Sequence, residues 1–297
     1  MGKKDDAAYE YLSIPRYFAD LFNAKYFGGR QIVDCNKLQE ADGRVPIENG
    51  PTRFRDIKKR LPDGTKFIIV AIENQEYVDY EMPWRIMKYD CAEYERQINE
   101  IHALKVKEAR RKKKKISWLE KKMDEHDKLS PTFTVCFYHG KEPWTGPRGL
   151  RDMMSFGECG EEWKRIFNDY HMLLACADDP ELAERCNTQL GLLLRVLSAR
   201  GNKEHMENIK KDQGFRHLEP ETGKAIAVLA DIPKLLDYMN DCQNMGGEID
   251  MCVAIDEMMA DSRRQGEKIG EKRGEKRGEK RGMKKGVDRV NRLNISL

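Results

Sequence analysis

Residues 53–75, RFRDIKKRLPDGTKFIIVAIENQ, predict a β-hairpin, and this hairpin decides the fold class. Its first half, Arg53–Leu61, alternates polar and apolar side chains, and its second half, Lys66–Ile72, is a continuous apolar run. Alternation is typical of a half-buried strand, and a short apolar run is typical of a buried one. The Pro-Asp-Gly sequence at 62–64 favours a tight turn between them. We therefore expect two adjacent antiparallel strands.

Helical patterns surround the hairpin. They cover residues 10–29 and 82–115, a further strand is predicted over Thr132–Tyr138, and the chain beyond Leu150 is predicted to be helical throughout. The helices expected there are 161–177, 180–199, 223–240 and 248–262. The predicted fold class is α/β, with an α/β core followed by a C-terminal helical region. We divide the chain into a core over 1–150, a helical region over 151–262 and a tail over 263–297.

Three polar side chains, Asp56, Glu73 and Gln75, lie where they can share one face of the hairpin. If a two-residue loop at 63–64 sets the register, Asp56 lies opposite Ala71, and Glu73 lies two places further along the facing strand. Their Cα atoms would then be about 7–8 Å apart on the diagonal. Two carboxylates at that separation can bind one Mg²⁺ or another divalent cation. In the alternative interpretation, Glu73 begins an exposed loop and Asp56 pairs with Arg53 or Lys58.

Basic residues are concentrated in two places, although the net charge of the chain is only +3. The run Lys105–Lys115 contains eight basic residues and one acidic residue, and residues 263–292 contain thirteen Lys and Arg against five Asp and Glu. An acidic body with two basic patches indicates a polyanionic partner such as DNA. The residues predicted to bind nucleic acid are Arg110, Arg111, Lys112, Lys113, Lys114 and Lys115. The alternative for each patch is a solvated charged surface.

The tail has a simple repeat. Glycine recurs at every fourth position from Gly266 to Gly286, with Glu, Lys and Arg between. Glycine inside a helix costs about 1 kcal/mol relative to alanine, so one interpretation is a frayed or disordered basic arm. The other is a helix whose glycine stripe pairs with its copy in a homo-oligomer.

Several classes of protein are excluded by what the sequence lacks. The eight cysteines are scattered without any CxxC pair, so we expect reduced thiols and no zinc site. There is no P-loop, and no GxGxxG follows a strand. The apolar run Phe67–Ile72 is far shorter than the roughly twenty residues of a membrane span. The polar N-terminal sequence MGKKDD predicts no signal peptide, and we expect a cytoplasmic protein without membrane contact.

A longer string in the sequence points to a family. Residues 72–90, IENQEYVDYEMPWRIMKYD, resemble the hallmark of the recombination-promoting nuclease/putative transposase (Rpn) family of the PD-(D/E)XK nuclease superfamily. Three further stretches are similar to family segments, namely FADLFNAKYF (18–27), RFRDIKKRL (53–61) and FYHGKEPWTGPRGL (137–150). Together they cover about residues 18–150. The resemblance implies a PD-(D/E)XK fold, which is a mixed sheet flanked by helices, and a metal-dependent DNA endonuclease.

The resemblance also implies roles for individual residues. Asp56 and Glu73 correspond to the metal-binding acids of the superfamily, and Gln75 stands where most members have the lysine that acts on the attacking water. Asp20 matches an acidic position of the opening helix, where it could complete the site through water or lie on the surface. The rival function is a non-catalytic nucleic-acid-binding or assembly protein that retains the fold.

The helix after Gln75 supplies the last candidates. Arg85, Lys88 and Tyr89 are spaced to lie on one helix face. That face could hold the scissile phosphate or supply the missing cation, or it could be a solvated surface. Trp84 and Trp144 are expected to be core or wall residues and not platforms for base stacking.

Overall fold

The fold is described here from a computed structural model. It describes residues 3–45, 53, 54, 56–63, 66–158, 160–200, 202, 205, 208, 209, 212–232 and 235–239. The tail over 263–297 and the helix predicted over 248–262 lie outside these residues.

A mixed five-stranded sheet forms the centre of the described chain, in the order β1-β4-β5-β6-β7. Its strands are β1 (Gln39–Glu40), β4 (Ile57–Asp63), β5 (Lys66–Gln75), β6 (Thr132–Tyr138) and β7 (Leu173–Cys176). The pairs β1·β4 and β4·β5 are antiparallel, and β5·β6 and β6·β7 are parallel. Two short strands, β2 (Arg44–Val45) and β3 (Arg53–Phe54), pair separately. The sheet and its flanking helices confirm the predicted α/β class.

Helices cover both faces of the sheet. They are α1 (Lys3–Ser13), α2 (Pro15–Phe27), α3 (Met82–Arg111), α4 (Trp118–Lys121), α5 (Gly160–Ile166), α6 (Pro180–Arg185), α7 (Leu190–Ser198) and α8 (Pro220–Leu229). Side chains of α1, α2 and α6–α8 pack on the face that carries Val70 and Ile72. The start of α3, with Met82 and Ile86, packs on the opposite face beside Cys136. Successive strand residues point to opposite faces, so Glu73 lies on the α3 side.

The register of the hairpin differs from the one expected. Ile57 pairs with Ile72, and the pairing continues to Asp63 and Lys66, so the strands are shifted by two residues relative to the predicted register. The shift arises because Pro62 and Asp63 belong to β4 and not to the turn. Continuing the pairing by one residue places Asp56 opposite Glu73, where Ala71 was expected. A shift of two positions keeps the same side chains on the same face, so that part of the prediction is unaffected.

Several predicted helices end or break differently. The helix expected over 10–29 is two helices, because Pro15 begins the second. The helix expected over 82–115 ends at Arg111, and the one expected over 180–199 is divided into α6 and α7. Part of the helix expected over 223–240 belongs to α8, which begins earlier, at Pro220, and ends at Leu229.

The expectation of a purely helical region after Leu150 is wrong. Within the predicted helix 161–177, α5 ends at Ile166, and β7 adds a parallel strand to β6. Residues on both sides of position 150, including Phe18, Val70 and Leu194, belong to one apolar cluster. The boundary drawn at residue 150 therefore divides a chain whose two sides share one sheet and one core. No helix among the described residues is long and apolar enough to cross a membrane.

Candidate active site

The predicted acids lie at the end of the hairpin where β4 begins and β5 finishes. The Asp56 carboxylate accepts a 2.7 Å hydrogen bond from the backbone N–H of Asn74, the residue that follows Glu73. Burial raises the pKa of Asp56 above its ordinary value, and the hydrogen bond from Asn74 and the charge of Arg85 oppose this only in part. A carboxyl group with a raised pKa and a nearby cation is typical of functional sites.

Glu73 is buried against the first turn of α3. Its side chain is only 1% exposed, and its Oε2 atom lies 3.8 Å from a guanidinium nitrogen of Arg85. Arg85 also donates a 2.6 Å hydrogen bond to Asp79, in the loop before α3. Burial disfavours the charged guanidinium, but its hydrogen bonds with Asp79 and Tyr89 and the charge of Glu73 raise the pKa of Arg85 overall. The site thus contains a fixed positive charge beside its acids.

An ion pair holds α3 against the sheet next to this site. Lys58 of β4 donates a 2.6 Å hydrogen bond to Glu93 of α3, and both side chains are almost fully buried. Because Lys58 is two residues from Asp56, this contact joins the start of β4, next to the first acid, to the helix that carries Arg85. Lys58, one of the two alternative partners predicted for Asp56, forms an ion pair with Glu93.

The other residues predicted around the acids are Gln75, Tyr89 and Lys88, and they lie in different surroundings. Gln75 is half-buried at the end of β5, and its backbone oxygen accepts a 2.9 Å hydrogen bond from the backbone N–H of His139. By strand alternation its side chain shares a face with Glu73. Tyr89 joins the Arg85 network. Lys88 instead lies with its Nζ atom 5.7 Å from the centroid of the Trp84 ring.

Asp20 lies in a different environment. It is buried in α2, which packs on the face of the sheet opposite to α3. Its carboxylate accepts hydrogen bonds from the backbone N–H groups of Asn187 and Thr188 and from the Thr188 hydroxyl, at 2.6–3.1 Å. These contacts hold the chain between α6 and α7. They account for the burial of this carboxylate without any part in the site of Asp56.

The donor set fits a magnesium ion in number and type. Asp56, directly before β4, and Glu73, on β5, supply two carboxylates. Mg²⁺ usually takes one or two carboxylates and completes its shell with water and phosphate oxygens. No group of three or more His, Cys, Asp or Glu side chains with metal-binding geometry occurs among the described residues. Two carboxylates would leave the other coordination positions of such an ion to water and phosphate oxygens.

The predicted basic run begins on α3 and continues past its end. Arg110 and Arg111 are the last helical residues with basic side chains, and Lys112–Lys115 follow, all exposed. Lys112 pairs with Glu108, and Lys114 pairs with Glu120, so part of the charge is neutralised locally. At 1.5 Å per residue, Arg110 lies about 38 Å along the helix axis from Arg85.

The two tryptophans expected in the core differ from each other. Trp144 is buried and packs edge-on against Tyr138. Trp84 is 44% exposed on the first turn of α3, so it is not a core residue. Tyr77 and Tyr80, in the loop between β5 and α3, are also largely exposed. The only feature of the sequence that could have placed these two tyrosines near the candidate site is their position shortly after Glu73.

One comparison with known proteins gives a match. A family model described as "Putative transposase, YhgA-like" matches residues 56–213, which is more than half of the chain. The matched segment begins at Asp56 and contains Glu73, Arg85 and the four strands β4, β5, β6 and β7. No curated protein and no solved structure matches the chain.

Proposed function

Because the chain belongs to the YhgA-like putative transposase family, we propose that it is a DNA endonuclease that hydrolyses phosphodiester bonds with a divalent cation held by Asp56 and Glu73. Family membership supports chemistry on DNA at a coarse level. The finer statement is supported by one arrangement above all. The carboxylate of Asp56 accepts a hydrogen bond from Asn74, the residue next to Glu73, and both acids feel the positive charge of Arg85.

The protein's own residues have distinct roles in this proposal. Asp56 and Glu73 bind the cation. Gln75 lies two residues beyond Glu73 on β5. Its side-chain amide donates a hydrogen bond to the attacking water or accepts one from it. The guanidinium of Arg85 lies beside the acids and stabilises the negative charge of the scissile phosphate. Tyr89 and Asp79 hold Arg85 in place.

A bound divalent cation would lower the pKa of water and stabilise the charge that develops on the phosphate. Gln75 carries no charge, so it cannot replace the electrostatic contribution of the lysine that most of the superfamily has there. Arg85 keeps a positive charge at all accessible pH values and lies on the same side of the sheet. We therefore assign to Arg85, and not to Gln75, the electrostatic part of that role.

A specific observation favours a second candidate. Arg85 already lies 3.8 Å from Glu73, and a guanidinium in that position competes with a metal for the same carboxylate. A protein in which this ion pair persists in the presence of metal would bind nucleic acid without cleaving it. This candidate is a non-catalytic DNA-binding protein with the nuclease fold.

Plasmid nicking separates the two candidates. Purified protein is incubated with supercoiled plasmid and Mg²⁺, Mn²⁺ or a chelator, and DNA binding is measured in parallel. A nuclease produces nicked plasmid only with metal, whereas the non-catalytic candidate binds equally well in chelator and produces none. Asp56→Ala is the matched variant, and for a nuclease it abolishes nicking with little loss of DNA binding. Equal nicking by wild type and Asp56→Ala would contradict the assigned role of Asp56.

A further inference from the structure

A groove between the C-terminal half of α3 and the short helix α4 is lined by basic and aromatic side chains. Its volume is about 590 Å³. The polar and aromatic residues that line it are His102, Lys107, Arg110, Trp118, Lys121 and Lys122. No acidic side chain contributes to its lining within the described part of the chain. The groove therefore offers a strongly positive surface around one large ring.

Specific contacts hold the two walls of this groove together. Lys105 of α3 donates hydrogen bonds to the backbone oxygen of Lys122, at 2.8 Å, and to Asp124, at 2.7 Å. Lys114 pairs with Glu120 of α4 at 2.8 Å. Ser117 and Glu120 also form a capping box that fixes the start of α4. The groove is consequently a formed feature of the fold.

The cations of the groove differ from the other basic residues nearby. Lys105, Lys112 and Lys114 each pair with a carboxylate. In contrast, no carboxylate among the described residues forms an ion pair with Lys107, Arg110, Lys121 or Lys122. Charges that are neutralised within the protein add little to the binding of an anion, whereas the four groove cations keep their full charge for one.

Trp118 is the second feature that points to a ligand. Its side chain is 69% exposed, although tryptophan is normally among the more buried residues. The Nζ atom of Lys122 lies 3.7 Å from the ring centroid, so one face of the indole is already next to a cation. An exposed ring bordered by cations combines a surface for stacking with sites for phosphate.

We propose that this groove binds single-stranded nucleic acid, with one base stacked on Trp118 and the adjacent phosphates bound by the four cations. In a duplex the base faces are covered by their neighbours, so a stacking platform selects unpaired bases. An acidic peptide could form ion pairs with the four cations, but its carboxylate side chains would not stack on the exposed ring. The proposal rests on the proposed function only in taking nucleic acid as the ligand, and it does not require cleavage.

The groove also lies on the same side of α3 as the candidate active site. Eighteen residues separate Arg85 from Ala103, which lines the groove, and eighteen residues are five full turns of an α-helix. The two positions are therefore aligned along the helix, about 27 Å apart. This alignment allows one nucleic-acid strand to reach from the groove to Asp56 and Glu73.

Binding of labelled single-stranded oligothymidine, measured by fluorescence anisotropy in chelator, tests the proposal. We expect Trp118→Ala to weaken binding about 5- to 150-fold, the range found for loss of one stacked base. Trp118→Phe keeps a ring and should retain most of the affinity. Trp163→Ala is the matched control, because Trp163 of α5 is also exposed and does not line the groove, and it should have no effect. Unchanged melting temperatures establish that each variant is folded.

An oligonucleotide of abasic sites with the same length separates stacking from charge. We expect wild type and Trp118→Ala to bind it equally, because it has phosphates but no bases. Trp118→Ala binding to oligothymidine with wild-type affinity would overturn the proposal, as would stronger competition by poly-glutamate than by oligothymidine. Because all measurements are made without metal, failure of the nuclease proposal leaves these results unchanged, and failure here leaves metal-dependent nicking unchanged.

Discussion

The Asp56 carboxylate accepts a 2.7 Å hydrogen bond from the backbone N–H of Asn74. The strand β4 begins only at Ile57, so at this position a side chain occupies the place that a backbone carbonyl would take in a longer strand. The contact holds Asp56 next to Glu73 although the two acids are far apart in sequence. The start of one strand thereby positions both candidate ligands.

The burial of Asp56 predicts a pH-dependent gain in stability when its charge is removed. The pKa of Asp56 is raised above 3.8, so its ionised form is less favourable in the folded protein than in the unfolded chain. Asp56→Asn keeps an acceptor for Asn74 and removes the charge. At pH 7 without metal, we expect a higher melting temperature, by about 2–4 °C for each kcal/mol. The gain should decrease as the pH falls through the raised pKa, where the wild type is protonated too.

Asp212 provides a control of the opposite sign. The N–H of Gly214 and the charge of Arg195 lower the pKa of this carboxyl, so its ionised form stabilises the fold. Asp212→Asn should therefore lower the melting temperature at pH 7, and the difference should disappear in acid. If Asp56→Asn lowered the melting temperature at pH 7, the ionised Asp56 carboxylate would not be unfavourable in the folded protein.

Arg85 and Glu73 should be energetically coupled. Removing one partner of a buried ion pair costs about 3–5 kcal/mol, and because Arg85 is 25% exposed we expect Arg85→Ala to cost about 1–3 kcal/mol in urea unfolding. Adding Glu73→Gln to Arg85→Ala should recover part of the loss. Arg185→Ala, which breaks an exposed pair with Glu181, should cost less than about 1 kcal/mol. Strictly additive effects of Arg85→Ala and Glu73→Gln would mean that the two side chains do not interact.

Gln75 should contribute to cleavage by its hydrogen bonds. We expect Gln75→Ala to lower the rate of plasmid nicking, whereas Gln75→Lys should preserve or raise it, because a lysine adds a cation beside the attacking water. Neither change should alter DNA binding strongly. Nicking by Gln75→Ala at the wild-type rate would exclude this side chain from the reaction.

The tail should act on DNA binding and not on the stability of the body. Residues 263–292 contain thirteen Lys and Arg against five Asp and Glu. Deleting 263–297 should leave the melting temperature nearly unchanged and should flatten the salt dependence of duplex binding, by about 0.9 in the log–log slope for each lost phosphate contact. If the glycine repeat instead joins two subunits, the deletion lowers the mass measured by light scattering and leaves the slope unchanged.

Local patterns in the sequence predicted the elements on which the site is built. The apolar run ending at Ile72 corresponds to β5, the pattern over Thr132–Tyr138 matches β6, and helix α3 begins at Met82 as expected. In each case periodicity and local turn residues agree with tertiary packing. The strand β7 was missed because Leu173–Cys176 is a short apolar segment that fits either period, and only its pairing with β6 decides between them.

Relationships over long sequence distances could not be predicted. The hydrogen bonds of Asp20 come from residues more than 160 positions away, in the break between α6 and α7 within the helix expected over 180–199. The pairing of Arg85 with Glu73 depends on how α3 packs on the sheet, which helix periodicity does not specify. The groove at Trp118 likewise requires two helices to meet. The proximity of Asp56 and Glu73, in contrast, could be predicted from the hairpin itself.

The number of Mn²⁺ ions bound per chain, measured by electron paramagnetic resonance with the same duplex DNA present for each variant, tests the assignment of the metal site most directly. The two-acid site predicts that wild type binds one ion more than the Asp56→Ala/Glu73→Gln double variant. The Asp212→Asn variant should bind as many ions as wild type. Equal numbers for wild type and the double variant, with both folded and bound to DNA, would contradict the central claim that Asp56 and Glu73 hold a divalent cation.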